Sequence, residues 1–178
     1  MLPVSLIFTS GVASGVNSYG AVLVLGLLGR FGHIAAIPPV LERPLVLGAA
    51  AVLYTGQFVV GKIPILDSVW DVVHTGLRPV AGCAVGAVMA QHVHADSAAT
   101  IAAAALGGGS ALASHLVKTG VRVGVNVSPE PFSNIAASLL EDLGVAGLVS
   151  FAVFNPLAAA IVAAVVLAVG IALFALLA

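Results

Sequence analysis

Ionisable side chains recur at helical spacing in one short segment of an otherwise apolar chain. Asp67, Asp71, His74 and Arg78 are separated by four, three and four residues. Because an α-helix turns by about 100° per residue, these side chains fall on one face of a helix. Carboxylates beside a histidine and a cation can bind a cation, relay protons or hold a phosphate. Residues 62–79 therefore form the first candidate site.

Two further one-sided polar patterns lie in the second half of the chain, and a polar pair lies in the first apolar segment. A polar side chain in such a segment should face protein or water rather than lipid. The predicted solute- or ion-binding residues are Asn17, Tyr19, Lys62, Asp67, Asp71, His74, Arg78, His115, Lys118, Arg122, Asn134, Ser138, Glu141 and Asp142. If they share one cavity, the cations and carboxylates nearly balance. No catalytic residue is assigned among them.

The composition indicates an integral membrane protein. The 178 residues are 61% hydrophobic and 7% charged, whereas soluble domains are about 45–50% apolar and about 25% charged. We expect a multi-pass protein of the cytoplasmic membrane. The formal net charge of −1 provides no basic surface for nucleic acid. The single cysteine, Cys83, excludes an internal disulfide.

The apolar segments predict an all-α fold of about six transmembrane helices in a single domain, residues 1–178. A span needs about 20 mainly apolar residues. The predicted spans cover residues 4–29, 45–60, 97–117, 133–154 and 157–178, with a further apolar helix over residues 79–93. Polar connections are predicted at residues 31–43 and 91–96, and a break at residues 129–131. The first span has no Lys or Arg ahead of it, so we expect a retained helix rather than a signal peptide.

Prolines and glycines predict interruptions of these helices. Pro64 and Pro79 bound a segment of about 21 Å, which is too short to span a membrane. We therefore expect a half-helix there, either re-entrant or at the interface. Three consecutive glycines at residues 107–109 predict a kink, an unwound turn or a very close helix contact.

Weak internal similarity suggests a repeat of residues 1–95 and 97–178. In this hypothesis the polar spacing of residues 67–74 recurs at residues 134–141. Halves of three spans would have opposite orientations, as in the inverted repeats of many secondary transporters; chance similarity is the alternative. With six spans, four basic residues lie on the side of both termini and two on the other, which favours cytoplasmic termini.

Several motifs together resemble one family of small bacterial multi-spanning membrane proteins, the domain of unknown function 4126 family. The motifs are Gly15-Val-Asn-Ser-Tyr19, Gly61-Lys-Ile-Pro-Ile-Leu-Asp67, Asp71 with Arg78-Pro79, and Ser138-Leu-Leu-Glu-Asp142. The resemblance covers nearly the whole chain. The usual family motif has an Asp before the Lys, where this chain has Gly61. The resemblance implies a membrane protein with intramembrane polar motifs, and it implies no particular activity.

Three functions are compatible with these patterns. The first is a transporter or channel for a small polar solute or ion, with the bilayer and that solute as partners and no cofactor. The second is a membrane-embedded enzyme acting on a phosphorylated lipid, in which Asp67 and Asp71 would hold Mg²⁺. The third is a structural or accessory subunit. Gly-xxx-Gly patterns at residues 11–15 and 82–86 also suggest a homo-oligomer.

Overall fold

The chain folds into a bundle of α-helices. The computed structural model describes the backbone of residues 3–126 and 131–177, and within these residues there are six helices and no strand. The helices are α1 (Val4–Gly32), α2 (Pro44–Val60), α3 (Pro64–His92), α4 (Ser97–Asn126), α5 (Pro131–Phe154) and α6 (Pro156–Leu177). The predicted all-α membrane fold is confirmed.

Five of these helices are long and apolar enough to cross a membrane. The exception is α2, which has 17 residues. The predicted break at residues 129–131 falls largely outside the described residues, and α5 begins at Pro131. The chain is therefore a multi-pass membrane protein, as the composition predicts.

The half-helix expected between Pro64 and Pro79 is not a separate element. Pro64 does open a helix, but Pro79 lies inside α3, which continues for 29 residues to His92. The interior of a membrane has no water to bond free backbone groups. A helix that ended at Pro79 would leave several N–H and C=O groups without partners, whereas a proline inside a continuous helix removes only one N–H donor. The polar face of residues 67–78 is therefore the first half of a membrane-spanning helix.

The interruption lies instead in α1, at Asn17. Its backbone is extended, with φ −149° and ψ 95°, between two helical segments. The Asn17 side-chain Oδ1 accepts a hydrogen bond of 2.8 Å from the Gly20 N–H. An extended residue whose side chain accepts from the third following N–H is an N-cap. Asn17 thus ends one half-helix and caps the next.

Small residues let α4 approach α1 and α3 closely. A Cβ at Gly107 would overlap the Gly82 carbonyl, and a Cβ at Gly15 would overlap the Ala111 carbonyl. The Ser114 hydroxyl also donates to the Val12 carbonyl across the α1–α4 contact, at 2.7 Å. The glycine triplet therefore lies in a continuous helix, and Gly107 and Gly108 allow close helix contact, the third of the predicted alternatives.

Both Gly-xxx-Gly patterns are used inside the chain. Gly11 and Gly15 face α4, and so do Gly82 and Gly86. An oligomer would therefore need a different surface from the one that the sequence suggested. The homo-oligomer remains a prediction without support from these faces.

The first helix is central to the bundle and contacts each of the other five. Its buried residues include Ile7, Ala21 and Leu25, which pack in the apolar core with Met89 and Val149. In contrast, most large apolar side chains of α6 are exposed, as expected for a helix that faces lipid.

The inverted repeat and the orientation remain predictions. The two polar segments proposed to correspond lie on α3 and α5, which are not equivalent positions in two three-helix halves. Three of the six basic residues, Arg78, Lys118 and Arg122, are buried in helices and are not loop charges, and Lys62 lies in the turn between α2 and α3. The remaining two, Arg30 and Arg43, flank the 33–43 connection on the side opposite the termini. The charge count therefore no longer favours cytoplasmic termini.

Candidate functional site

The residues selected from the sequence converge in one half of the bundle, from its end to its middle. The start of α3, the end of α4 and the start of α5 lie together there, and they meet the end of α2 and the middle of α1. The polar cluster contains Asn17, Tyr19, Lys62, Asp67, Asp71, His74, Arg78, His115, Lys118, Arg122, Asn134, Ser138, Glu141 and Asp142. It holds four of the chain's six basic residues and four of its seven acidic residues.

Asp71 binds two cations deep in the bundle. Its Oδ1 lies 2.8 Å from Arg78 Nη2 and 3.0 Å from Lys118 Nζ. The side chains of Asp71 and Lys118 are 3% and 5% exposed, and that of Arg78 is fully buried. Arg78 lies about 21 Å along α3 from its start, near the middle of this 29-residue helix. Burying an ion costs several kcal/mol, so these groups require each other.

Glu141 and Arg122 form the second ion pair of the cluster. Arg122 Nε lies 2.7 Å from Glu141 Oε1, and Arg122 Nη2 lies 3.1 Å from Oε2, which is a bidentate pair. Glu141 Oε2 also lies 3.5 Å from Lys118 Nζ. Arg122 Nε is 3.6 Å from Asp67 Oδ2. Lys118 and Arg122 thus each connect two carboxylates.

Asn134 fixes the position of the Arg122 guanidinium. Arg122 Nη1 donates to Asn134 Oδ1 at 2.7 Å and to the Asn134 carbonyl at 3.2 Å. The Asn134 Nδ2 donates in turn to the Gly61 carbonyl at 3.3 Å. This side chain is 1% exposed, and it ties the start of α5 to the turn between α2 and α3.

The two ends of the α1 interruption face opposite charges. Arg78 Nη1 donates to the Gly15 carbonyl, at 2.9 Å, in the last turn of the first half-helix. Asn17 Nδ2 donates to Asp142 Oδ1, at 2.9 Å, at the start of the second half-helix. A cation at a helix C-terminus and an anion at a helix N-terminus both stabilise the helix dipole. The cluster therefore supports the interruption electrostatically.

Lys62 lies at the more accessible edge of the cluster. Its Nζ donates to the Phe58 carbonyl at 2.9 Å and to Ser138 Oγ at 3.4 Å, and it lies over the Phe58 ring. Asp142 Oδ2 is 3.9 Å away. Burial lowers the pKa of the Lys62 ammonium below its usual range, and the Asp142 charge opposes this shift.

Hydrogen bonds fix one proton of the His74 ring. Its Nδ1 lies 2.7 Å from the Trp70 carbonyl, which can only accept, so Nδ1 carries a proton. In the neutral ring Nε2 then accepts from the Tyr19 hydroxyl at 2.9 Å. The Trp70 ring stacks on the imidazole with centroids 4.4 Å apart. Tyr19 therefore joins α1 to the polar face of α3.

His115 is neutral in the opposite tautomer. Arg78 Nη1 can only donate, so the His115 Nδ1 at 2.9 Å accepts. The proton then lies on Nε2, which donates to Thr75 Oγ1 at 3.0 Å, and Thr75 donates to the Asp71 carbonyl. With both histidines neutral, four cations balance four carboxylates.

Several buried polar atoms have no hydrogen-bond partner among the described residues. They include Asp71 Oδ2, Asp142 Oδ2, Arg78 Nε and Gln57 Oε1. Exposure increases from Asp71 at 3% to Asp142 at 12% and Lys62 at 22%. The cluster is thus accessible near Lys62 and buried near Arg78, and its unpaired polar atoms can still bind a small solute or water.

Some members of the cluster were not identified by the sequence analysis. Trp70, Thr75 and Phe58 contact the selected residues, and the Gly15 carbonyl is bound by Arg78. Thr75 and Trp70 lie on either side of His74 in α3, so a wider reading of that helical face could have found them. No sequence signal identified the Gly15 carbonyl, because only the interruption at Asn17 frees it.

The comparisons with known proteins agree with the resemblance noted above. The family described as Domain of unknown function (DUF4126) matches residues 4–175, and the chain belongs to this family. No curated protein and no solved structure matches the sequence significantly.

Proposed function

We propose that this family member is a small membrane transporter or channel for a small polar solute or ion. The observation that carries the proposal is the interruption of α1 at Asn17 inside a charge-balanced cluster. Secondary transporters use interrupted helices near the bilayer midplane, where half-helix ends face the solute or the coupling ion. Here these ends face Arg78 and Asp142.

Asp142 is the carboxylate that we assign to ion binding. Its Oδ1 accepts from the Asn17 amide, whereas its Oδ2 lies 3.9 Å from Lys62 Nζ and has no hydrogen bond within the described residues. In contrast, Asp71 and Glu141 each contact a cation at 3.0 Å or less. Asp142 can therefore bind a proton or small cation without breaking a tight ion pair.

Binding at Asp142 would affect the position of α1. A proton or cation would neutralise the charge that the Asn17 amide and the start of the second half-helix stabilise. The contact between α1 and α5 would weaken, and α1 could shift at its non-helical residue. This gives a physical link between ion occupancy and a change of helix position.

The Mg²⁺-dependent enzyme has less support as an alternative. Asp67 faces Arg122, and Asp71 faces Arg78 and Lys118, so cations occupy the positions that a metal would take. Among the described residues, no three His, Cys, Asp or Glu side chains are grouped as metal ligands. A phosphate that displaced the carboxylates could still contact the same cations.

Flux through proteoliposomes tests the proposal. The purified protein would be reconstituted with a pH-sensitive dye inside, and separately with Na⁺ and K⁺ indicators, under an imposed membrane potential. We expect flux above that of protein-free liposomes, and we expect Asp142→Asn to abolish it.

Asp96→Asn is the matched control, because it removes a carboxylate outside the cluster. Asp96 Oδ1 caps α4 by accepting from the Ala99 N–H at 2.7 Å, and asparagine caps equally well. This variant should retain full flux. Flux equal to that of empty liposomes for every ion, or flux that Asp142→Asn leaves unchanged, would contradict the proposal.

A further inference from the structure

An apolar groove lies beside the polar cluster, on the side of the bundle where α1, α5 and α6 meet. Its volume is about 720 Å³, within the range of small-molecule sites. It follows α5 from Ala137 to Phe151, a length of about 21 Å. This exceeds the roughly 15 Å of hydrocarbon in one bilayer leaflet, so a long alkyl chain fits along it.

One ionisable side chain lines this groove, Glu141, and the remaining described lining is apolar or glycine. Glu141 lies toward the Ala137 end. Its side chain is 21% exposed, whereas those of its partners Lys118 and Arg122 are 5% and 2% exposed. A polar head that entered along the groove would therefore meet the carboxylate before it met either cation.

The Glu141 carboxylate can accept a further donor. An ionised carboxylate has about four acceptor positions, and Arg122 and Lys118 supply three contacts. The positive charge of these partners is shared with Asp71 and Asp67. The positive and negative charges around Glu141 are thus balanced. A positively charged donor is therefore complementary to the exposed side of the Glu141 carboxylate.

We propose that this groove binds a long-chain amphiphile with a primary ammonium head, the alkyl chain lying along α5 and the head at Glu141. Apolar walls with a single carboxylate are complementary to this class of ligand and to few others. The proposal goes beyond transport of a small ion and does not depend on it. It also assigns Glu141 a contact outside its ion pairs.

Two glycines allow the groove to be filled without disturbing the fold. Gly144 and Gly147 line it, and a Cβ at either position meets no atom within 4 Å. Gly147→Leu would therefore place a side chain in the groove. Gly76→Leu is the matched control, because Gly76 is also helical and open but lies on α3, away from the groove.

Photolabelling in phosphatidylcholine nanodiscs tests the proposal. Three octadecyl probes with a diazirine in the chain would carry an amine, an alcohol or a sulfonate head, and labelled peptides would be identified by mass spectrometry. We expect the amine to label residues 144–166 about fivefold more strongly than the sulfonate, which is the effect of a modest ion pair. Gly147→Leu should reduce labelling by all three probes, and Gly76→Leu should not.

Glu141→Gln separates the head from the chain. It should reduce amine labelling to the level of the alcohol and leave alcohol labelling unchanged. If this variant does not fold, the comparison of the three heads on the unmodified protein still decides the question. Equal labelling by amine and alcohol, stronger labelling by the sulfonate, or normal labelling of Gly147→Leu would overturn the proposal.

Discussion

Asn17→Ala tests whether the interruption of α1 is built into the chain and required for its activity. The substitution removes the cap on Gly20 and the hydrogen bond to Asp142. It also removes the reason for Gly15 to present a free carbonyl to Arg78, because a regular helix would pair that carbonyl with the Tyr19 N–H. We expect α1 to close into a continuous helix.

The expected change in stability is moderate. Loss of the cap costs about 1 kcal/mol, and loss of the hydrogen bond to a carboxylate costs about 1.5–3 kcal/mol. A continuous helix regains backbone hydrogen bonds of about 0.5–1.5 kcal/mol each. Arg78 also loses its hydrogen bond to the Gly15 carbonyl, which costs a further ~1.5–3 kcal/mol. The free energy of unfolding should therefore fall by about 2–5 kcal/mol, and size-exclusion chromatography would check that the variant is folded.

Hydrogen exchange and flux give the decisive measurements for Asn17→Ala. Amide exchange near residues 17–20 should slow as the interruption closes, and ion flux in proteoliposomes should be lost. Asn17→Ser is the matched variant, because serine also caps a helix but does not reproduce the amide donor to Asp142; it should retain fast exchange. If Asn17→Ala shows the stability, exchange and flux of the unmodified protein, the Asn17 interruption is required neither for stability nor for transport.

Three further outcomes follow from the packing and the ion pairs. Asp71→Asn leaves the buried Arg78 without its carboxylate and Lys118 with Glu141 alone. It should lower the free energy of unfolding by about 3–5 kcal/mol, measured by denaturant titration in detergent, whereas Asp96→Asn should show no such loss. Gly82→Leu should abolish the folded peak in size-exclusion chromatography, because the new side chain would overlap the Gly107 carbonyl. Gly76→Leu should retain this peak, because Gly76 lies on the same helix with open space around it. Tyr19→Phe should cost about 0.5–1.5 kcal/mol of stability, because it removes the donor to His74 Nε2; an unchanged transition in the same titration would refute that hydrogen bond.

Much of the cluster could be predicted from residue type and spacing. In a chain with few charges, helical spacing places Asp67, Asp71, His74 and Arg78 on one face, and lipid forces such a face inward. The same reasoning selected the polar faces of α4 and α5. The structure brings these faces together, and the role of each residue in transport remains a prediction.

Other features could not be read from local patterns. Proline and glycine signals suggested breaks at Pro79 and near Gly107, but both helices continue, because a membrane interior penalises unpaired backbone groups more than it penalises a proline or glycine. The interruption is at Asn17 instead. An asparagine caps a helix only where its side chain has suitable hydrogen-bond partners, which here are Gly20 and Asp142.

The sequence by itself determined the membrane class, the approximate helices and the set of charges that had to be buried together. These follow from hydropathy and helical periodicity, which are local properties of the chain. Only the tertiary structure decided which cation meets which carboxylate, where α1 breaks and where Glu141 reaches the apolar groove. The physical reason is that a buried charge or a free carbonyl is stable only when a group from another helix satisfies it, and that pairing is not encoded in any single segment.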